Sequence, residues 1–234
     1  MTNNPRVGEC VMTPATSRSP REIGVVLRII RNEVQRFREP AVTQEARRRD
    51  PFRVLISCLI SLRTKDDVTA ASSRRLFELA DTPTGMMELT EVKIAETIYP
   101  AGFYRNKAKT IREVCHDILH RFGGNTPDTI EDLLTLKGVG RKTANLVVTK
   151  GFSKPGICVD THVHRISNRL GWVETRTPDE TEFALREFLP HMHWIELNDL
   201  LVTYGQNICV PISPKCSQCR VRRHCRRVNV TRAR

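Results

Sequence analysis

Between Leu136 and Asn145 the chain reads LKGVGRKTAN, and the residue types in this stretch suit an amine held beside an anion. Gly138 and Gly140 lack a Cβ and are free to take positive φ, so the turn they form can bring backbone close to a ligand. The helix that follows offers unpaired N–H groups and the positive end of its dipole. With Lys137, Arg141 and Lys142 alongside, the anion that fits is a phosphate. A glycine turn between two packed helices would use the same residues. Lys142, in the first turn, feels the dipole, Lys137 and Arg141, which predicts a lowered pKa and a nucleophilic amine near neutral pH. The plainer role for a lysine here is a solvated phosphate contact. Asp160 follows the apolar triplet Ile157-Cys158-Val159 and precedes a helix whose apolar face is Val163, Ile166 and Leu170. A carboxylate at such a junction is most simply a helix N-cap, and capping is compatible with catalytic duty at the same position.

A second chemical grouping lies near the C-terminus. Of eight cysteines, Cys10, Cys58, Cys115 and Cys158 are scattered, whereas Cys209, Cys216, Cys219 and Cys225 fall within seventeen residues. No secretory signal precedes them, so a reducing compartment is expected, where a tight cysteine group binds metal more often than it forms disulfides. Only one C-x-x-C pair is present. Four thiolates in one compact loop suit a [4Fe–4S] cluster, and zinc with help from His224 is the alternative. His162 and His164 stand two apart and do not share a helix face, so hydrogen bonding or phosphate contact is expected of them. His191 and His193 read as structural, without a nearby acidic partner. Cys58, Cys115 and Cys158 lie on apolar faces and read as buried thiols.

These groups must be placed by helices, because the hydrophobic spacing is helical nearly everywhere. Ile23, Val26, Leu27, Ile30, Val34 and Phe37 form one face; Phe52, Leu55, Ile56, Leu59 and Ile60 form another, opened by Pro51. Further helices are predicted around Val68–Leu79, Val92–Ile98 and Ile111–Phe122, the last ended by Gly123-Gly124, and near 128–135, 141–150, 161–170, 179–189 and 195–205. That makes about ten short helices, with no period-2 strand and no internal repeat. The fold class is therefore all-α, and Pro155-Gly156 is a suitable place for passage between two lobes.

Composition narrows the partner. The 234 residues carry 38 Lys and Arg against 26 Asp and Glu, a formal charge of +12, and eight of those excess positive charges fall in the acid-free stretch from Leu200 to Arg234. Such a balance points to a polyanion, since cations on a nucleic acid release its condensed counterions. A solvated basic tail is the bland alternative. No apolar run approaches the roughly 18 residues of a membrane span, and residues 1–20 read as a disordered leader.

The hairpin pattern resembles the helix-hairpin-helix DNA-binding motif. LKGVGRKTAN, then VDTHVHR from Val159 to Arg165, then the cysteine spacing six, two and five residues apart together resemble the endonuclease III family of DNA glycosylases. PFRVLISCLIS from Pro51 and AGFYRNKA from Ala101 extend the likeness over most of residues 44–225. The resemblance implies a two-lobed protein: a six-helix barrel lobe over 44–154, with the hairpin at 128–150, and an iron–sulfur lobe built from 21–43 and 155–234. It implies a [4Fe–4S] cluster on Cys209, Cys216, Cys219 and Cys225. It also implies that Lys142 attacks C1′ of the damaged nucleotide and forms a Schiff base, and that Asp160 assists the attack and stabilises charge developing on the sugar.

DNA contact is implied for Lys137, Gly138, Val139, Gly140, Arg141 and His162, for Phe103 as the apolar wedge that fills the vacated stack, and for Arg63. Phe103 in the core is the plainer alternative for that aromatic. At Arg63 the family commonly has Gln, so an amide's hydrogen-bonding preferences do not carry over and lesion range and opposite base are left open. Lys215, Arg220, Arg222 and Arg223 would be held as an array towards phosphates. The implied activity is a bifunctional glycosylase and apurinic/apyrimidinic (AP) lyase that removes oxidised pyrimidines and cleaves 3′ to the abasic site by β-elimination in base excision repair. A mismatch thymine or uracil glycosylase and a non-catalytic DNA-binding protein are the alternatives. The expected partner is double-stranded DNA with damaged bases or abasic sites, bound by a monomer in the cytoplasm with the nucleoid and away from membranes.

Overall fold

In the computed structural model the described residues are 19–234, so the leader expected over 1–20 falls, but for Ser19 and Pro20, outside them. Twelve α-helices run through the described residues in the order α1 (Pro20–Val34), α2 (Ala41–Ala46), α3 (Pro51–Ser61), α4 (Asp66–Leu79), α5 (Pro83–Glu88), α6 (Glu91–Ile98), α7 (Tyr104–Arg121), α8 (Ile130–Leu134), α9 (Arg141–Leu146), α10 (Thr161–Leu170), α11 (Pro178–Phe188) and α12 (Trp194–Asn207). Among them there is no strand. The starts are written locally: Ser19 and Glu22 close a capping box on α1, Asp50, Thr82, Thr90, Thr129, Asp160 and Thr177 each cap a helix through their side chain, and Pro stands in the first turn of α1, α3, α5 and α11. Gly123 and Gly124 stop α7 in left-handed conformation, as expected.

Three local differences from the sequence expectation have plain causes. Helices α2 and α5 are six residues long, too short for a repeating apolar stripe to announce them. Helix α7 begins at Tyr104, seven residues before its expected apolar face, because the buried Lys107 occupies a position that reads as polar. The helix expected over 141–150 changes pitch after Leu146 into a π-helical turn, Val147–Gly151, where the Thr149 hydroxyl donates to the Asn145 carbonyl at 2.8 Å and Gly151 lies against Pro51.

The buried apolar residues fall into two clusters. One gathers α3, α4, α6, α7, the hairpin residues Leu133, Leu136 and Val139, and α9; the other gathers α1, α10, α12, Leu185 and the tryptophans Trp172 and Trp194. Val42 sinks into the first cluster, so the chain enters it at α2, slightly before residue 44. The return crossing is Ile157-Cys158-Val159, a non-helical triplet whose side chains alternate: Cys158 joins the first cluster, Ile157 and Val159 the second. Asp160 is the next residue, which fixes it at the seam.

Polar bonds tie the two clusters across that seam. Arg141 of α9 makes a bidentate pair with Glu182 of α11 at 3.0 and 2.6 Å, Arg186 donates to Glu182 at 2.9 Å and to Asn145 Oδ1 at 3.2 Å, Asn198 donates to the Cys158 carbonyl at 3.2 Å, and Lys150 pairs with Asp199. The Glu182 side chain is only 2% exposed, so its charge depends on the two guanidiniums. Replacing Glu182 by Gln is expected to lower unfolding free energy by about 1–3 kcal/mol, since both arginines keep some access to water; equilibrium urea denaturation measures it.

Candidate active site

Lys142 lies at the floor of the seam, one residue after the clamp residue Arg141. Its backbone carbonyl accepts from the Cys158 thiol at 3.4 Å. The expected lowering of its pKa is not what the structure gives. Burial does work against the ammonium, but the sulfurs of Cys158 and Cys58 and the carboxylates of Asp160 and Asp66 outweigh it, and the pKa is held above the usual lysine value. Burial pushes the Cys58 thiol up to about 11 and Cys158 higher still. Both are protonated at neutral pH, so the negative charge facing Lys142 there comes from Asp160 and Asp66. The sequence argument counted the cations beside Lys142 in the chain and missed the anions folded against it.

Asp160 caps α10 as expected. Its Oδ1 accepts from the backbone N–H of His162 at 2.8 Å and of Val163 at 2.9 Å, and Oδ2 has no hydrogen bond among the described residues. Lys142 and Asp160 form no ion pair within 4.0 Å, so a gap separates them. Asp66 stands in the first turn of α4, held by the Ala41 N–H at 3.0 Å. Nothing in its local sequence sets it apart from Asp67, and only the packing of α2 and α4 turns it towards Lys142.

The hairpin residues divide by role. Gly138 has φ +74°, and a Cβ there would sit 2.9 Å from Thr110 Cγ2. Gly140 does not take positive φ; at φ −97° it faces open space, with nothing within 4 Å of a built Cβ. The Val139 side chain belongs to the core, 6% exposed, which leaves only its backbone to a ligand. Lys137 pairs with Glu113 at 2.8 Å, and Arg141 is spent on Glu182 with its guanidinium over the Phe183 ring. Arg141 is thus a clamp between lobes.

Two probes project from the other side. Phe103 is 59% exposed, sits at φ +57° and opens α7, and the Arg63 guanidinium lies 5.6 Å from its ring centroid. The core alternative for Phe103 does not hold. His162 is half-buried beside Gly205, where any Cβ would come within 2.5 Å of His162 Nδ1, and that nitrogen lies 3.0 Å from Arg165 Nη2. Burial, more than the opposing Asp160 charge, keeps His162 below the usual histidine pKa and so neutral. His164 bonds Thr181 Oγ1 at 2.7 Å. His193 does have an acidic partner, Glu196 on the next turn at 2.8 Å, a contact the local reading missed.

The four C-terminal thiols are carried by the same helix that Asp160 caps. Arg165 donates to the Cys209 carbonyl at 2.9 Å, and Arg169 donates to the Val210 and Pro211 carbonyls at 2.8 and 2.6 Å and to Cys209 Sγ at 3.4 Å. The Arg227 N–H points at Cys225 Sγ at 3.4 Å, and Tyr204 Oη lies 3.2 Å from Cys219 Sγ. Four half-buried thiols in no disulfide, with N–H donors aimed at sulfur, are a donor set that fits an iron–sulfur cluster. Among the described residues no three His, Cys, Asp or Glu side chains gather to hold a single ion. Arg220 pairs at 2.8 Å with the buried Glu33 of α1 and stays exposed, as do Arg222 and Arg223.

The sequence pattern of the HhH-GPD superfamily base excision DNA repair proteins matches residues 56–191, a segment that contains Lys142 and Asp160 and ends before the four cysteines. Endonuclease III of Thermotoga maritima is 49% identical over 176 residues, 75% of this chain and 83% of that protein. The chain belongs to the endonuclease III family. The family makes it a base excision repair enzyme of the DNA glycosylase and AP lyase kind. Endonuclease III-like protein 1 of Gallus gallus is 44% identical over 72% of this chain and 61% of its own length. A solved endonuclease III trapped in a covalent intermediate with DNA superposes with TM-score 0.78 at 29% identity, covering 90% of this chain and 97% of that one. A thermostable thymine-DNA glycosylase, at TM-score 0.77 and 23% identity over 88% of this chain and 96% of that one, shares the fold. No helix among the described residues is long and apolar enough to cross a membrane.

Two outcomes follow from this geometry. Gly140→Ala is expected to leave stability within about 0.5 kcal/mol while weakening binding to a DNA duplex, whereas Gly138→Ala, strained in backbone and against Thr110, is expected to cost about 1–3 kcal/mol; urea melts and fluorescence anisotropy separate them. Asp66→Asn removes a carboxylate that holds the Lys142 proton, so the alkaline-rising limb of the single-turnover rate is expected to move to lower pH.

Proposed function

We propose that the protein is a bifunctional glycosylase and AP lyase that removes oxidised pyrimidines from double-stranded DNA and cleaves 3′ to the resulting abasic site, acting as a monomer on nucleoid DNA in the cytoplasm. The observation that carries this reading is the convergence of a half-buried lysine and a carboxylate with one free oxygen, brought from two separate cores to the seam between them. Phosphates fit the hairpin, where Gly140 opens the backbone and Lys137 stands beside it. Phe103 and Arg63 meet the duplex opposite, the ring filling the stack that the flipped nucleotide vacates.

In the reaction the Lys142 ammonium first gives its proton to a base, and Oδ2 of Asp160 is the free acceptor on the facing wall. The Nζ–C1′ bond forms as the N-glycosidic bond breaks and its electron pair leaves with the base. That proton passes on from Asp160 to the departing base, and the carboxylate so freed faces the positive charge on the sugar. Ring opening gives the Schiff base; loss of a C2′ proton and departure of the 3′ phosphate complete β-elimination. A raised resting pKa suits this assignment because the amine stays charged, and unreactive, until substrate occupies the gap.

Cys209, Cys216, Cys219 and Cys225 hold a [4Fe–4S] cluster in this reading, supported by the sulfur-directed N–H groups and by the grip of Arg165 and Arg169 on the loop. When bound, the cluster supplies a covalent cross-link that makes residues 209–225 one rigid body. Arg222 and Arg223 then face phosphates from that body.

The test is borohydride trapping on a duplex with one oxidised pyrimidine or one abasic site. Wild type is expected to give a covalent adduct that Lys142→Gln does not. Asp160→Asn keeps an N-cap residue on α10, so its fold is expected to survive while the excision rate falls at least about 100-fold. No adduct from wild type on either substrate would remove the lyase assignment.

A further inference from the structure

Lys107 is a buried cation to which the reaction above gives no part. It lies in the first turn of α7, 7% exposed, and its ammonium uses all three N–H groups: to the Ile60 carbonyl at 2.6 Å, the Leu62 carbonyl at 2.6 Å and Thr64 Oγ1 at 2.7 Å. The first two are end carbonyls of α3 that have no helical partner, so Lys107 caps that helix from another element. The third continues across to the next loop, for Thr64 Oγ1 also accepts the Gly102 N–H at 3.0 Å. At Gly102 the two loops touch so closely that a Cβ would stand 2.5 Å from the Arg63 carbonyl oxygen.

The residues on either side of this knot are Arg63 and Phe103, the two duplex-facing probes. Both are non-glycine residues in the left-handed region, at φ 51° and 57°. Such conformations cost on the order of 1 kcal/mol each and persist only where the surroundings over-determine them. Desolvation also pushes the Lys107 ammonium down to about 8, so a charge is kept here against the burial that opposes it. A methionine would fill the same space without that opposition and would leave the Ile60 carbonyl without its partner and the Leu62 carbonyl with only the Thr64 hydroxyl at 3.3 Å.

Resting on the glycosylase and lyase reading, we propose that Lys107 is a positioning residue that locks the 62–64 and 102–103 loops into one rigid probe, so that Arg63 and Phe103 enter the duplex together. It acts on extrusion of the damaged nucleotide and has no part in chemistry at C1′. Substrates with no stack to fill are therefore indifferent to it.

The experiment compares wild type, Lys107→Met and Thr64→Val, the last removing the bridging hydroxyl while leaving the lysine. Each is assayed for single-turnover excision of an oxidised pyrimidine from a duplex and for borohydride trapping on a single-stranded oligonucleotide with one abasic site. Both variants are expected to lose roughly 10- to 100-fold on the duplex, the size of effect that a misplacement of about 1 Å produces, and to trap the single strand within about twofold of wild type. Duplex excision within twofold of wild type, or equal losses on both substrates in a variant whose urea midpoint is unchanged, would overturn the proposal; if Lys107→Met does not fold, Thr64→Val decides. A wild type that traps an abasic site in neither single strand nor duplex would instead overturn the lyase reading beneath it.

Discussion

The buried carboxylate of Glu182 is the constraint on which the arrangement of the two cores depends. One α11 side chain, almost without solvent, accepts from Arg141 and Arg186, and Arg186 reaches on to Asn145. Since Arg141 and Asn145 belong to the helix of Lys142, that lysine is fixed to the second core by its own neighbours. Helix α11 is joined to α10 through Thr181 and His164, and α10 is the helix that Asp160 caps. The separation between Lys142 and Asp160 is therefore set by a continuous run of short polar contacts. A loop would not hold two reacting groups across a gap with that rigidity.

The same economy appears in α10. Its N-terminus is capped by Asp160, its apolar face fills the second core, and Arg165 and Arg169 on its other side hold the carbonyls of the cysteine loop. The Asp160 carboxylate and the cysteine loop are thus tied to one and the same helix. Across the seam, burial raises the thiol pKa of Cys58 and Cys158, so that the surface they present to Lys142 is apolar and uncharged at neutral pH.

Basic residues in this chain do unequal work, and counting them would mislead. Arg141, Arg186, Lys150 and Arg220 are committed to buried or half-buried carboxylates, and Arg165 and Arg169 to backbone carbonyls. They hold the fold together. Other cations face outward, among them Arg63 with its aromatic neighbour and Arg222 and Arg223 on the cysteine loop.

Local chemistry was legible in the sequence wherever it depends on neighbours in the chain: the helical period, the proline that opens α3, the cap at Asp160, the glycine stop after α7, and the motifs around Lys142, Asp160 and the four cysteines. A cap or a hydrophobic stripe is decided within one or two turns, which is why those readings needed no third dimension. Only the tertiary structure decided what faces what. It turned Asp160 and Asp66 towards Lys142, against the expected lowering of its pKa, paired Arg141 with Glu182 and Arg220 with Glu33, put Phe103 outside and gave Lys107 an inside. Electrostatic environment depends on distance through space, and two residues 76 positions apart along the chain, such as Asp66 and Lys142, have no signal in the sequence that says they meet.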